Sequence, residues 1–339
     1  MKRALRIAVL LLGLGVFGWF VHHAGPAEIL GMLSRLGWYA PLALLPLGLV
    51  YSAEVLGWRW AFGRDAPNGL PYRTLWRIRL CGEAFNNVIP SGTVGGEAVK
   101  IYLLHKRGVS GRHATAATII GRTVQTLMQV TFIALGSAAF LHFAGERPGV
   151  VPAMAVILAA SIVLVATLFY LQSHGMFTLG LKLAAALRIK LAVLETRREH
   201  LVRIDRQIMD FYRYDRRHFL LSAATYLGAW LLDTLDVLIA AWLLGMPIDW
   251  PHALAIEAFI GVAKLLGFLV PGGLGIQEAG ITLVCRLAGL PVEFGPAYAI
   301  IRRGRDLFVV TLGWWFLWRE EASLAALRAH VAAEVREEL

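Results

Sequence analysis

The stretch 90–122 recurs, without a gap, at 271–303. At a fixed offset of 181, Pro90 meets Pro271, Gly92 meets Gly273, Glu97 meets Glu278 and Ala98 meets Ala279. Farther along, Gly108 pairs with Gly289, Ala116 with Ala297, Ile119 with Ile300, Ile120 with Ile301 and Arg122 with Arg303. Chance alignment of apolar sequence matches mostly Leu, Ala and Val. Here Pro, Glu and Arg match as well, which favours a duplicated unit over coincidence. A Gly/Pro-broken segment in corresponding places of two halves points to the binding site of a transporter.

Composition identifies the solvent these halves face. The chain is 58% hydrophobic and 17% charged, against about 25% charged in soluble domains. Val150–Leu171 is 22 residues without a charge, and Ala4–Val21 is 18 with only Arg6. A hydrocarbon core about 30 Å thick takes about 20 helical residues. The fold class expected is therefore an all-α polytopic membrane protein. The first run reads as a retained helix, because Val21, His22 and His23 follow it where a signal peptide has small residues. The net charge of +10 is no nucleic-acid signature, because the basic residues gather in the loops of one membrane face. Cys81 and Cys285 lie in or beside apolar segments and give no disulfide framework or metal spacing. The histidines form no HExxH or twin-His helix spacing, so neither metal nor cofactor is expected.

The loops set the topology, with a cytoplasmic (inner) membrane as the location and both termini cytoplasmic. Spans are expected at about 4–22, 37–60, 114–143, 150–172, 218–246 and 297–318. Arg59, Arg64, Arg73, Arg77 and Arg79 read as a cytoplasmic loop. Residues 82–105 and 253–290 are expected to enter the membrane, break at Pro90–Gly96 and Pro271–Gly275, and leave on the side they entered. Broken backbone at that depth survives only where protein or a wet cavity satisfies it. Six full spans and two re-entrant hairpins result, or eight crossings if the second hairpin spans fully. Repeat one runs over about 37–143 and repeat two over about 218–318, in opposite orientations. A basic connector, about 173–217, joins them on the cytoplasmic side, as an amphipathic surface segment or a binder of anionic lipid. Residues 1–318 form one transmembrane domain, and 319–339 a short cytoplasmic tail.

Arg122 and Arg303 sit where membrane physics disfavours them. Each is expected several residues inside a span, at a cost of at least about 2.5–3.5 kcal/mol if it met lipid. Each must then face the bundle interior, where the guanidinium fork suits phosphate. Structural ion pairing with Glu97 and Glu278 is the competing reading. The first break offers Ser91, Gly92, Thr93, Gly95 and Gly96, and the second Gly272, Gly273 and Gly275, ahead of helices starting near Glu97 and Gln277. A helix N-terminus presents free backbone N–H groups to an anion, and glycine lets a headgroup approach. Glu97 and Glu278 fall in the first helical turn, either as caps for the dipole or as groups that release an arginine when phosphate arrives. Glu54 and Asp236 lie 36 and 35 residues before the repeat prolines. With Asp233, Glu83 and Lys264 they are candidates for coupling or for ion pairing. Gln125 is one turn from Arg122 and is placed to orient it. Arg302 and Arg305 have no match in repeat one, and Arg302 is expected to point away or snorkel outward.

The run Phe85–Asn86–Asn87–Val88–Ile89–Pro90–Ser91–Gly92 through Gly95–Gly96–Glu97, and Val270–Pro271–Gly272–Gly273–Leu274–Gly275 to Glu278, resemble the two hallmarks of the lysylphosphatidylglycerol synthase transmembrane-region family, also called flippase-like or UPF0104. Glu97 stands where that family often has Asp. The resemblance implies translocation of a lipid with a charged or glycosylated headgroup. Members that aminoacylate lipid carry a soluble transferase domain after the membrane part. This chain ends about 20 residues past its last expected helix, so aminoacyl transfer is not expected of it alone. The readings open at this point are a flippase working by alternating access on an anionic or glycosylated lipid, an intramembrane lipid-modifying enzyme, and a membrane subunit of a lipid-synthesis complex. The partner expected in every case is a membrane lipid.

Overall fold

The computed structural model describes residues 36–65, 70–88, 94–144, 150–186, 198–266 and 276–320, together with Ala27, Gly31 and Ser34. The expected first span, Ser91, Gly92 and Thr93, Gly272, Gly273 and Gly275, and the tail beyond Glu320 lie outside the described residues. Every regular element among the described residues is helical. A 3₁₀ stretch, Gly37–Leu44, leads into α1 (Leu45–Trp60), followed by α2 (Tyr72–Val88), α3 (Val94–Lys106) and α4 (Gly111–Ala144). Then come α5 (Val150–Ser173), α6 (Met176–Ala186), α7 (Arg198–Tyr214) and α8 (Arg216–Leu243). The series closes with α9 (Trp250–Leu266), α10 (Ile276–Leu287) and α11 (Phe294–Arg319). Gly37–Trp60, Gly111–Leu141 and Arg216–Leu243 are long and apolar enough to cross a membrane.

One boundary differs from the expectation in a way that matters. The first hairpin starts at Tyr72 rather than near 82, so Arg73, Arg77 and Arg79 belong to α2 and not to a loop. Leu75, Ile78, Cys81 and Phe85 are all buried, and their spacing of three to four residues is that of one helix face. Counting arginines hid this apolar stripe. Arg79 is carried inward with it and is only 6% exposed.

Two positions aligned at the 181-residue offset share one local backbone form. Gly108 and Gly289 follow α3 and α10 with φ of 85° and 83°. The Val109 N–H bonds the Leu104 carbonyl at 3.2 Å, and its counterpart Leu290 bonds Cys285 at 3.0 Å. Both helices thus end in the same left-handed glycine cap, a conformation that only glycine adopts cheaply.

Packing relates the halves by exchange. α1 lies against its counterpart α8, with Ser222 Oγ donating to the Gly57 carbonyl at 2.9 Å. α2 packs on α11, whereas its counterpart α9 packs on α4. Each repeat's hairpin is therefore covered by the other repeat's long helix. Both crossings use a glycine for close approach. Gly136 of α4 lies on Ala258 of α9, and Gly313 of α11 lies on Leu80 and Ala84 of α2, with no room for a Cβ at either. Small residues of this kind let helix backbones meet inside a membrane.

The connector is tied to the bundle. α7 buries Ile204, Ile208 and Phe211 and packs on α4. Asp205 of α7 accepts the Phe177 and Thr178 N–H groups at 3.1 and 2.8 Å and the Thr178 hydroxyl at 2.7 Å. It thereby caps α6 from a separate helix. α7 is amphipathic, and its apolar side is spent on the bundle.

Candidate functional site

Two buried polar clusters occupy the bundle, one per repeat. In repeat one, α1 supplies Glu54, α2 supplies Arg79 and Glu83, α3 supplies Glu97 and Lys100, and α4 supplies Arg122 and Gln125. Arg79 donates to Glu54 Oε2 from Nη2 at 2.6 Å and from Nε at 3.2 Å, and stands 3.8 Å from Glu83. Gln125 Nε2 donates to the other Glu54 oxygen at 2.6 Å. Arg122 Nη1 reaches Gln125 Oε1 at 3.4 Å. Lys100 Nζ holds both oxygens of Glu97, at 2.8 and 2.9 Å.

The start of α3 is locked as well. Gly96 N–H donates to Asn86 Oδ1 at 2.7 Å, so an orphan donor of that helix end is satisfied from within the hairpin. Gly82 and Gly96 meet backbone to backbone at the crossing of α2 and α3. A Cβ on Gly82 would also come within 2.8–2.9 Å of the Lys100 stem. The lysine runs through the space that this glycine leaves, and its ammonium lies 5.6 Å from the centre of the Trp58 ring.

In repeat two, α8 supplies Asp233 and Asp236, α9 supplies Glu257, and α11 supplies Tyr298, Arg302, Arg303 and Arg305. Arg302 grips Glu257 with both prongs, at 2.6 and 2.7 Å. Tyr298 Oη accepts from Arg302 at 2.6 Å and donates to Asp236 at 2.9 Å. Arg305 Nη1 bridges Asp233 and Asp236 at 3.1 and 3.0 Å. Arg303 Nε pairs with Glu278, and its Nη1 is 3.8 Å from Asp306. Tyr51 stands between the clusters, within electrostatic reach of Glu54, Glu83, Arg79 and Arg305. Through Tyr51 the two clusters adjoin as one polar seam.

A buried ionised group persists only when paired and hydrogen-bonded, and Arg79, Arg302, Arg303 and Arg305 each have a carboxylate partner, although Arg302 Nε, Arg305 Nε and Glu278 Oε2 are buried without a hydrogen bond. Arg122 is eleven residues past Gly111 and Arg303 nine past Phe294, about 16 and 13 Å along their helices.

The family model for the lysylphosphatidylglycerol synthase transmembrane region matches residues 4–313. The chain belongs to that family. It is also similar to a UPF0104 membrane protein of Pyrococcus horikoshii, 25% identical over 279 residues, or 78% of this chain and 82% of that protein. A member of the lysylphosphatidylglycerol synthase transmembrane-region family is a multi-pass membrane protein of a group related to lipid synthesis or flipping. The matched span takes in both hairpins and both polar clusters.

Within this family member the sequence reading divides in two. Glu54, Gln125, Arg122, Glu97 and Gly96 gather in repeat one, and Asp236, Glu278 and Arg303 in repeat two. Gly95, in the first turn of α3, is described too. The expected pairing of Arg303 with Glu278 is present. The parallel pairing of Arg122 with Glu97 is replaced by Lys100 on Glu97. Arg302 does not snorkel: it is 1% exposed, forked onto Glu257. Extended to lipid water the side chain would abandon two charged hydrogen bonds. Arg79, Lys100, Glu257 and Tyr298 were missed. For Glu257 a signal existed, since it is the lone acid between Trp250 and Ala263, in a helix otherwise apolar.

Proposed function

We propose that this protein translocates a lipid with an anionic, phosphate-bearing or glycosylated headgroup across the cytoplasmic membrane, by alternating access. The observation that carries the reading is the pair Arg122 and Arg303. Each lies at the same aligned place of a repeat, deep in a long helix, beside the second helix of a hairpin broken by Pro and Gly. The two repeats stand in inverted orientation, so that one arrangement opens the seam to each face in turn. The head travels along the polar seam while the acyl or prenyl tails stay in lipid. Exchange packing supports this picture, because moving one hairpin moves against the other repeat's long helix. Both termini are cytoplasmic, and no chemical step on the lipid is needed.

The test is translocation in proteoliposomes of short-tailed fluorescent lipids, with the outer leaflet read by dithionite quenching. The wild type should move at least one anionic headgroup class, and Arg122→Ala should abolish the movement. A folded wild type that moves no lipid, with or without an ion gradient, refutes the flippase reading in favour of a lipid-modifying enzyme or a subunit of a synthesis complex. Movement that survives Arg122→Ala keeps the flippase and removes this site from it.

A further inference from the structure

We infer that the two polar clusters are not equivalent and that the phosphate of the headgroup is loaded in repeat one, with Lys100 and Arg122 as its ligands. This rests on the flippase reading for the lipid, but the anion site stands on its own geometry. At the 181-residue offset, Arg79, Lys100 and Arg122 of repeat one face Ile260, Ile281 and Arg303 of repeat two. At these three positions repeat one has three cations and repeat two has one; the two further arginines of repeat two, Arg302 and Arg305, stand opposite Gly121 and Val124 and are paired with Glu257, Asp233 and Asp236. Gln125 of repeat one faces Asp306 of repeat two, so Arg303, the counterpart of Arg122, gains an extra acid as well.

The contacts follow the substitutions. Arg303 has two carboxylates beside it, Glu278 and Asp306, so an incoming anion there meets negative charge. Arg122 instead bonds the neutral side chain of Gln125, at 3.4 Å. Gln125 is in turn committed through its amide nitrogen to Glu54. Glu97 lies under the charges of Lys100, Arg122 and Arg79 together, and Lys100, 5% exposed, is itself under the charges of both arginines. Like charges brought this close in a low-dielectric interior repel strongly unless an anion sits among them. Glu97 fills that role in this structure. A phosphate brings two or more oxygens and matches the guanidinium fork and the ammonium better than one carboxylate does.

Arriving phosphate therefore takes over Lys100 and Arg122, and Glu97 gives up its hold. Arg79 stays with Glu54 and Glu83 and supplies field instead of contact. Gly82 is the enabling residue, since a larger side chain would displace the Lys100 stem.

The test is calorimetric titration of the full chain in detergent with dihexanoyl phosphatidic acid, dihexanoyl phosphatidylcholine and inorganic phosphate. Phosphatidic acid should bind. Lys100→Gln should weaken it about ten- to a hundredfold, the loss expected of one charge-assisted contact. Lys100→Arg should restore most of the affinity. Glu97→Gln should tighten binding, because the competing carboxylate is gone, and this arm holds even if Lys100→Gln fails to fold. Tightening by Glu278→Gln in place of Glu97→Gln puts the anion in repeat two and overturns the inference, as does binding indifferent to both Lys100→Gln and Glu97→Gln. Inorganic phosphate binding with the same Lys100 dependence, without lipid binding, keeps the site and refutes the lipid reading. No binding of any of the three overturns both.

Discussion

Arg302→Met should destabilise this protein more than Glu257→Gln does, although the two side chains share the same pair of hydrogen bonds. The reason is the charge left behind. Asp233, Asp236 and Glu257 face Arg302 and Arg305, three negative groups against two positive, all under 9% exposed. Removing Arg302 leaves three carboxylates around one guanidinium, and Glu257 loses the fork that holds both its oxygens. Breaking a buried pair in this direction costs about 3–5 kcal/mol. Glu257→Gln lowers the excess negative charge to zero, and the amide oxygen still accepts one of the two guanidinium bonds. The cost is then about one charge-assisted bond, roughly 1.5–3 kcal/mol. The double variant Arg302→Met with Glu257→Gln should cost less than Arg302→Met alone, since Glu257 no longer leaves a stranded charge, giving a coupling of roughly 0.5–3 kcal/mol. SDS-induced unfolding of the purified protein, followed by circular dichroism, measures all three. Equal costs for the single variants, or a double variant equal to their sum, would refute the charge reasoning.

Other consequences are simpler to read. Gly136→Ala and Gly313→Ala should each cost about 1–3 kcal/mol by overpacking the two exchange crossings, seen as lowered unfolding midpoints. Asp205→Asn should lose part of the α6 cap, about 1 kcal/mol, and hasten proteolysis between α6 and α7. Asp215→Ala should free the Gly63–Asp65 turn, because the Arg64 N–H and the His218 ring both bond this carboxylate, at 3.0 and 2.6 Å. Faster limited proteolysis near Arg64 in the variant is the expected readout. Glu320→Gln, although it removes the negative charge beside Lys106 and Arg107, should shift stability by less than about 1 kcal/mol, as rim ion pairs do.

The helical class and the burial of Arg303 were legible because long apolar runs, and a charge set inside one, stand out in one dimension. A repeated Pro or a charge in an apolar run can be seen without coordinates. Partner choice could not be read this way. The repeat sets Arg122 against Glu97 as it sets Arg303 against Glu278, whereas Lys100, three residues on along α3, holds both Glu97 oxygens. Arg79 was misplaced because the positive-inside rule sums charges over a segment and ignores which face each one occupies. Arg302 was misjudged for the reverse reason. Its partner Glu257 is 45 residues away in the chain, and nothing local announces it.

The exchange of long helices between hairpins has a consequence for the history of the chain. A half-length protein with this architecture would expose one face of its hairpin unless a second copy lent its long helix, so it would fold only as a pair of identical subunits. In such a pair every residue appears twice, and an improvement on one side is forced on the other. Joining the copies in one polypeptide lifts that constraint while keeping the embrace. The lysine at 100 and the isoleucine at 281 are differences that a symmetric dimer has no means to write.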